Sequence, residues 1–352
     1  MDLQERITAF VKLGKFIKEF IKREDSTTSE NISNSSFFDE FNHQIHLAHL
    51  NNGWFTKENI IYALQGWAKL LRHKNINQWL EKYNFNHFSN KKVAIIMAGN
   101  IPLVGFHDFI SVLISGHSVV VKQSSNDKHL LPFLSKYLEH IEPRFKNKIF
   151  FTEEKLSQFD AVIATGSNNS ARYFEFYFKD KPSIIRKNRN SVAVLTDEES
   201  DEDLKNLSED VFRYYGLGCR NVSKLYVPQN YDFNAFFNGM YEWHPIIHQN
   251  KYANNYDYNK AVYLMSEFQL LENGFLILKE DENFGSPIAT LFYEFYNDLE
   301  QLKSKLKNSE HNLQCVVSKG SIEHSVSFGK TQQPELWDYA DNVDTIAFLL
   351  KI

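Results

Sequence analysis

The sequence predicts an α/β protein with two doubly wound parallel-sheet domains. From about residue 91, short apolar runs alternate with helical patterns, which is typical of βαβ units. A second alternation begins at Ser191, after the polar stretch Lys187–Asn190, and it indicates a second sheet. The length of 352 residues also exceeds what one hydrophobic core usually serves, which favours two domains.

The first helix is predicted over Met1–Glu24, where apolar residues recur at helical spacing and cationic residues interrupt them throughout. Neither a secretory signal nor a membrane span fits this pattern, so we expect a cytoplasmic protein without a transmembrane segment. A basic amphipathic helix can touch a membrane surface, but we expect this one to pack on its own domain. The polar segment Asp25–Ser36 predicts a loop, and helical patterning continues to about Tyr83.

The later elements follow in order. The first domain is expected to contain strands at Val93–Asn100, Ser118–Lys122, Lys148–Phe151 and Ala161–Thr165, and helices at Ile101–Ser115, at His129–Ile141 and from Ser167 through Phe178. The second is expected to contain the strands Ser191–Leu195 and Lys224–Val227, separated by the acidic helix Glu202–Tyr215. The predicted domains are residues 1–188 and 189–329, with a tail, 330–352, that folds back on the first domain.

Charge, cysteines and histidines exclude several classes of protein. A net charge of −5 argues against a nucleic-acid partner, because proteins that hold a polyanion usually carry a basic face. Cys219 and Cys315 are too far apart for a CxxC motif, so neither a disulfide scaffold nor a zinc site is expected. His244 and His248 lie four apart, but Pro245 separates them and no HExxH motif is present. We therefore predict no metal site.

Cys219 is the candidate nucleophile. It lies in YYGLGCRNVSKLYVP, between a glycine-rich turn and a predicted strand, where the backbone can approach a substrate closely. A thiolate in such a place can attack a carbonyl carbon, whereas a lone cysteine is more often an inert buried residue. Cys315, in LQCVVS, is predicted to be buried in a strand.

Five segments between Val93 and Ile288 resemble motifs of the aldehyde dehydrogenase superfamily, and they occur in the same order. They contain Asn100 in AGNIPL, Lys122 in SVVVKQSS, Gly166 and Ser167 in ATGSNNSA, Cys219 followed by RNVSKLYV, and Glu282 and Phe284 in ENFG. The resemblance implies two domains with the active site between them, the first binding the cofactor and the second carrying the nucleophile. Within the superfamily, the sequence most resembles acyl-CoA reductases.

The resemblance implies a role for each residue. Cys219 would attack a thioester carbonyl, and the Asn100 amide with a backbone N–H near Cys219 would stabilise the oxyanion. Lys122 would reach the adenosine ribose or its phosphate, Ser167 the pyrophosphate, and Glu282 the nicotinamide-side ribose. Gly166 and Phe284 belong to the same cofactor-binding elements. Without the resemblance, Asn100 would be a turn residue, and Lys122 and Glu282 would be solvated surface charges.

The first departure from the superfamily pattern concerns the cofactor. Members that bind NAD commonly carry glutamate three residues after the lysine, and this sequence has Ser125 there. Without that carboxylate, a 2′-phosphate is not repelled, and Lys122 with Ser124 and Ser125 could hold it. We therefore expect NADPH as the cofactor.

The second departure concerns hydrolysis. Hydrolytic members have a glutamate base in a segment that aligns here with Ile185–Asn190 (IRKNRN), which contains no carboxylate. A thioester on Cys219 would then persist until it is reduced or exchanged with CoA. The expected reaction is the NADPH-dependent reduction of acyl-CoA to aldehyde, and the resemblance together with 30 Phe and 17 Tyr favours a medium- or long-chain acyl group.

Several alternatives remain open on the sequence alone. The chain could be a CoA-independent aldehyde or semialdehyde dehydrogenase, or a non-catalytic scaffold for an acyl-transferring partner. His107 could donate a proton, and Lys251–Lys260 could face the substrate, although we expect a surface loop there. The resemblance also implies a homo-oligomer, and an acyl-transferring or acyl-activating protein is a further expected partner.

Overall fold

A computed structural model describes residues 1–25, 35–85 and 90–352 of the chain. Apart from its ends, the predicted loop Asp25–Ser36 lies outside the described residues. The chain divides into two compact units, which we call unit 1 (Met1–Lys187 with Glu335–Ile352) and unit 2 (Asn188–Pro334).

In its described residues, unit 1 begins with four helices: α1 (Leu3–Asp25), α2 (Ser35–Asn51), α3 (Lys57–Leu70) and α4 (His73–Leu80). The apolar face of α1 is buried in the core of this unit, with Phe10, Phe16 and Phe20 at most 1% exposed. The prediction that this helix packs on its own domain is thus confirmed. None of the helices in the described ranges combines the length and the apolar character that crossing a bilayer requires.

The sheet of unit 1 has five parallel strands: β1 (Lys92–Ile96), β2 (Ser118–Lys122), β3 (Ile149–Phe151), β4 (Ala161–Thr165) and β5 (Ser183–Arg186). The connecting helices are α5 (Phe106–Ile114), α6 (Leu130–Ile141) and α7 (Asn168–Tyr177). The strand order is β3-β2-β1-β4-β5, so the direction of winding reverses between β1 and β4. In open α/β sheets, ligands bind outside the carboxyl ends of the strands at such a point.

Unit 2 contains a six-stranded sheet and four α-helices. Its strands are β6 (Asn190–Val194), β7 (Val222–Pro228), β8 (Leu270–Glu272), β9 (Ile277–Glu280), β10 (Thr290–Tyr296) and β11 (Leu313–Val317), and its α-helices are α8 (Asp201–Phe212), α9 (Phe233–Met240), α10 (Asn250–Met265) and α11 (Leu299–Asn308). The strand order is β11-β6-β7-β10-β9-β8, and every neighbouring pair is parallel except β8 with β9. The predicted α/β class with parallel sheets is confirmed.

The C-terminal segment Glu335–Ile352 belongs to unit 1 and contains α12 (Thr345–Leu349). Its apolar side chains, including Leu349 at 0% exposure, join the core that α1 also enters. Tyr339 adds a polar contact, since its hydroxyl accepts a 2.7 Å hydrogen bond from the indole N–H of Trp79. This tail is therefore an integral part of unit 1.

The prediction of a surface loop at Lys251–Lys260 is wrong, because these residues lie within α10. The sequence of α10 has no apolar stripe that would predict a helix. Polar contacts made by its buried face stabilise the helix instead. Tyr252 donates its hydroxyl to the carbonyl of Phe275 at 3.0 Å, and Asn259 donates its amide to the carbonyl of Ile288 at 2.8 Å. The signal in the sequence is the helical spacing of Tyr252, Tyr256 and Asn259, all of which are buried.

The helix predicted from Ile101 begins only at Phe106. Leu103 adopts a left-handed backbone conformation with φ of 59°, which no α-helix accommodates. In that conformation its N–H donates to the carboxylate of Asp127 at 3.1 Å, a contact that a helix starting at Ile101 would lose. The loop that carries Asn100 is longer as a result.

Candidate active site

In unit 1, the loops that follow β1 and β2 pack tightly against each other. A Cβ atom on Gly99 would lie 2.5 Å from Oγ of Ser124, so only glycine fits beside this serine. Asn100 follows directly and is exposed, and Ser125 is exposed on the neighbouring loop with its carbonyl accepting a 2.8 Å hydrogen bond from the Asn51 amide. The structure therefore brings Asn100, Ser124 and Ser125 to one edge of the sheet.

Asp127 joins these two loops and was not identified from the sequence. Besides accepting from Leu103, it accepts through its backbone carbonyl a 2.9 Å hydrogen bond from the amide of Gln123. Its Oδ1 has no hydrogen-bond partner within the described ranges, and it lines a cavity of about 10 Å³ that has room for one water molecule. Burial raises the pKa of Asp127 to about 6, although the Leu103 hydrogen bond opposes this.

Lys122 ends β2, and its ammonium group donates to the carbonyl of Glu154 at 3.0 Å. An ammonium group has three N–H donors, so this contact uses only part of its capacity. Lys122 and Ser125 thus lie on the loop system at the carboxyl ends of β1 and β2, where a phosphorylated ribose is compatible with their charge and polarity.

Gly166 and Ser167 form the turn between β4 and α7, as predicted. Ser167 is the N-cap of α7, and its hydroxyl accepts a hydrogen bond of 3.2 Å from the N–H of Ser170. A Cβ on Gly166 would lie 2.8 Å from the Cβ of Ser170, so the backbone passes close to the helix here. Helix α7 begins three residues after the end of β4, so its N-terminus lies at the carboxyl end of this strand, a position that fits the binding of a pyrophosphate.

In unit 2, Cys219 lies in the connection between α8 and β7, and its side chain is exposed. Tyr214, Tyr215 and Gly216 all have positive φ, at 55°, 60° and 75°, in the turn that precedes it. Tyrosine rarely adopts this conformation, so surrounding contacts must enforce it. An exposed thiol on a constrained turn is the arrangement that a nucleophile needs.

The side chain of Asn221 makes three of the contacts that enforce the turn before Cys219. This residue was not identified from the sequence. The residue is 2% exposed; its Oδ1 accepts from the N–H of Gly218 at 2.8 Å, and its Nδ2 donates to the carbonyls of Asp210 and Arg213 at 3.0 and 2.8 Å. The carbonyls at the end of α8 thereby receive hydrogen bonds from a side chain, although the helix does not continue. Asn221 thus fixes the turn on both sides of Leu217.

Two further contacts position the residues on either side of the thiol. Ser191, in β6, donates its hydroxyl to the carbonyl of Cys219 at 2.9 Å. Arg220 donates from Nη1 to the sulfur of Cys315 at 3.3 Å, and Cys315 is 6% exposed in β11, as predicted. The guanidinium of the residue that follows Cys219 is therefore anchored at β11 in the sheet.

The loop that contains Glu282 and Phe284 connects β9 to β10 in the same unit. The Glu282 side chain is exposed, whereas Phe284 packs against the core of unit 2. Ser223, four residues after Cys219, donates its hydroxyl to the carbonyl of Phe284 at 2.7 Å. Unit 2 therefore brings the nucleophile turn and the Glu282 loop together on one strand, β7.

The segment Ile185–Asn190, which lacks the carboxylate of hydrolytic dehydrogenases, contains Arg186 at the end of β5. Arg186 is buried in an ion pair with Asp108, and its other amino group donates to the hydroxyl of Thr345 at 3.1 Å. Lys187 of the same segment pairs with Glu175 at 2.7 Å. Both carboxylates are thus paired with cations, which does not suit them to act as a general base.

His107 is engaged with the C-terminal tail. Its Nε2 lies 2.9 Å from the carbonyl of Leu336, and its Nδ1 lies 3.4 Å from the hydroxyl of Ser111. We therefore assign it no role as a proton donor. His244 and His248 lie in a 3-10 helix, Tyr241–His248, with ring centroids 6.1 Å apart.

Residues 39–236, more than half of the chain, match the family described as acyl-CoA reductase (LuxC). No curated protein matches the sequence. Among solved structures, aldehyde dehydrogenase 21 from Physcomitrella patens, in complex with succinate, is 13% identical with a TM-score of 0.65, over 100% of this chain and 84% of that one.

Two bacterial enzymes show the same likeness. A variant of aldehyde dehydrogenase C from Pseudomonas syringae, in complex with NAD⁺ and octanal, is 10% identical with a TM-score of 0.66, over 91% of this chain and 73% of that one. Lactaldehyde dehydrogenase from Escherichia coli is 12% identical with a TM-score of 0.61, over 90% and 74%. At such identities the likeness concerns the fold, which is that of the aldehyde dehydrogenases. Together with the sequence match, it shows that the chain belongs to the acyl-CoA reductase (LuxC) family and is an oxidoreductase with the aldehyde dehydrogenase fold.

Proposed function

We propose that this protein reduces a medium- or long-chain fatty acyl-CoA to the aldehyde with NADPH, through a covalent thioester on Cys219. The observation that carries the proposal is an exposed thiol on a turn fixed by Asn221 and Ser191, in a chain of the acyl-CoA reductase family. The octanal bound by the Pseudomonas syringae enzyme supports an aliphatic chain of medium length.

In the proposed acylation, the Cys219 thiolate attacks the thioester carbonyl and forms a carbon–sulfur bond. The side-chain amide of Asn100 and a backbone N–H beside Cys219 stabilise the oxyanion, and the CoA thiolate leaves as the carbonyl is restored. When bound, NADPH supplies the hydride that converts the acyl group to aldehyde and frees the Cys219 thiolate.

The proposed NADPH preference depends on Lys122, Ser124 and Ser125. The structure supports it because the Ser125 side chain is exposed beside Asn100 and the ammonium group of Lys122 retains donor capacity. Gly166 and the N-terminus of α7 would hold the pyrophosphate, and Glu282 the second ribose. Because Asp108 is paired with Arg186, it is not suited to activate water, and this supports a thioester on Cys219 that is not hydrolysed.

The deciding experiment traps the acyl-enzyme. Wild-type protein is incubated with acyl-CoA substrates of several chain lengths without NADPH, and intact-mass spectrometry is used to detect an acyl adduct. We expect an adduct that Cys219→Ala abolishes and Cys315→Ala retains. It should form with stoichiometric release of free CoA thiol, and addition of NADPH should then remove the acyl group as aldehyde. Absence of an adduct at every chain length would favour the scaffold, whereas aldehyde oxidation without CoA would favour the dehydrogenase.

The proposal extends to partners. Tyr173, Phe176 and Tyr177 on α7 are 64%, 69% and 65% exposed, and exposed aromatic side chains support an interaction surface. We propose that this surface serves a homo-oligomer and that a separate acyl-transferring or acyl-activating protein supplies the substrate in the cytoplasm. Light scattering of the wild type and of a triple alanine variant of this surface tests the first part; equal masses would contradict it.

A further inference from the structure

Lys224 lies in the middle of β7, five residues after Cys219, and is 0% exposed. A buried ammonium group is expensive unless it is paired and hydrogen-bonded. Lys224 meets that requirement through two contacts: it donates to the backbone carbonyl of Glu282 at 2.8 Å and to the carboxylate of Glu294 at 2.7 Å. A lysine at this position is therefore retained despite its desolvation cost.

The ammonium group lies under the loop that carries Glu282. It is 5.5 Å from the centroid of the Phe284 ring and 4.9 Å from that of Tyr226, so aromatic faces cover it as well. Burial lowers the pKa of Lys224, and the Glu294 carboxylate opposes that effect. The positive charge is thus directed at the backbone of the loop rather than at solvent.

Two neighbouring contacts act on the same loop. Ser223, the residue before Lys224, donates to the carbonyl of Phe284, and buried Lys279 forms an ion pair with Asp281. Lys279 and Lys224 are both in register with Phe292 of β10, so the two lysines flank this residue on one row of the sheet. The loop is therefore held from beneath at its first, second and fourth residues, whereas the side chain of Glu282 is exposed.

We infer that Lys224 is a positioning residue that holds the Glu282 carbonyl and thereby aims the Glu282 side chain at the nicotinamide-side ribose of the cofactor. The inference rests on the proposed function of Glu282. Asn221 and Ser191 hold the nucleophile turn, whereas Lys224 holds the cofactor loop. Loss of Lys224 should therefore weaken cofactor binding and leave acylation of Cys219 intact.

The test compares Lys224→Met with Lys305→Met, which removes the more exposed cationic partner of Glu294 and keeps both contacts of Lys224. Two quantities are measured: the Kd of NADPH by fluorescence titration, and the rate of adduct formation from acyl-CoA without NADPH. We expect Lys224→Met to raise the Kd by about tenfold, as for loss of a charged hydrogen bond, with an acylation rate within about twofold of wild type. Lys305→Met should change neither quantity by more than about twofold.

A folded Lys224→Met protein with an unchanged Kd would overturn the inference. An equal loss of cofactor binding and of acylation would overturn it too, because that pattern indicates a general structural role. Ser223→Ala, which removes the contacts to the carbonyls of Phe284 and Ser191, provides a milder variant and should raise the Kd severalfold if Lys224→Met does not fold. Failure of the wild type to form an adduct would refute the proposed acylation, and the Kd comparison would still test Lys224.

Discussion

The side-chain amide of Asn221 donates a 2.8 Å hydrogen bond to the carbonyl of Arg213, across the left-handed turn that precedes Cys219. The same side chain accepts from Gly218, the residue before the nucleophile. One buried amide thus holds both ends of a turn that contains two tyrosines in a conformation they rarely adopt. The position of Cys219 depends on this contact.

Asn221→Ala should slow acylation of Cys219 by about tenfold to a hundredfold, because a small displacement of a nucleophile is costly. It should also lower the free energy of unfolding by about 1–3 kcal/mol, since carbonyls of buried residues lose their donor. Time-resolved intact-mass spectrometry measures the first effect and urea unfolding the second. Asn206→Ala, at an exposed position on α8, is the control; an acylation rate equal to wild type in Asn221→Ala would contradict the assignment.

How much the sequence can predict depends on where the partners of a residue lie. Strands β2 and β4 match their predicted bounds, Ser118–Lys122 and Ala161–Thr165, because a buried parallel strand is an apolar run that polar or glycine residues end. Cys219 was identified because its motif is local. Asn221 was not identified, because its partners Asp210 and Arg213 lie in the preceding helix and turn. It bonds their backbone carbonyls, and nothing in the sequence indicates that these carbonyls accept from a side-chain amide.

Distant contacts also account for Lys224 and helix α10, whose structure the sequence does not predict. Lys224 appears in the sequence as an interruption of an apolar strand, and only the structure places it under Glu282, 58 residues later. Helix α10 was missed because its apolar side chains form no stripe and distant carbonyls at Phe275 and Ile288 stabilise it. Tertiary contacts of polar groups, rather than hydrophobic periodicity, determine these features.

Ser125→Glu should shift cofactor selection from NADPH toward NADH. The new carboxylate would repel a 2′-phosphate and could accept hydrogen bonds from a 2′-hydroxyl, so the ratio of kcat/KM for NADPH to that for NADH should fall by about tenfold or more. Steady-state kinetics with both cofactors measure the ratio. Ser157→Glu, an exposed serine elsewhere in unit 1, should leave it unchanged. A wild-type protein that clearly prefers NADH would refute the proposed NADPH specificity.

Leu349→Ala should destabilise unit 1 by about 2–4 kcal/mol, because this side chain of α12 is fully buried in the core that the first helices form. Urea unfolding followed by far-UV circular dichroism measures the loss. Leu50→Ala, at a leucine of α2 that is 67% exposed, should change stability by less than about 0.5 kcal/mol. Equal effects of the two substitutions would show that the C-terminal tail contributes nothing to the core.

Two buried carboxylates, Asp127 and Asp210, should respond differently to amide substitution although burial raises the pKa of each to about 6. For such a group, the folded state binds the proton more tightly than the unfolded state, whose pKa is about 3.9. Its contribution to stability is therefore fully present below about pH 4 and is lost as the pH rises to 6. The shift of about two pKa units corresponds to at most about 3 kcal/mol.

Asp127→Asn should therefore raise the free energy of unfolding by about 1–3 kcal/mol at pH 8 and have little effect at pH 4. Between pH 4 and 6, the free energy of unfolding should decrease less steeply in this variant than in the wild type. Asp210→Asn should instead lower it by about 1–3 kcal/mol at pH 7, because Asp210 accepts from Gly329 N–H on one oxygen and from Thr331 on the other, so an amide faces a donor in either orientation. Urea unfolding of both variants across this pH range measures the difference from wild type. A loss of stability in Asp127→Asn at pH 8 would contradict this expectation. It would mean that the hydrogen bond from the Leu103 N–H to the wild-type carboxylate stabilises the Asn100 loop by more than burial of the charge costs.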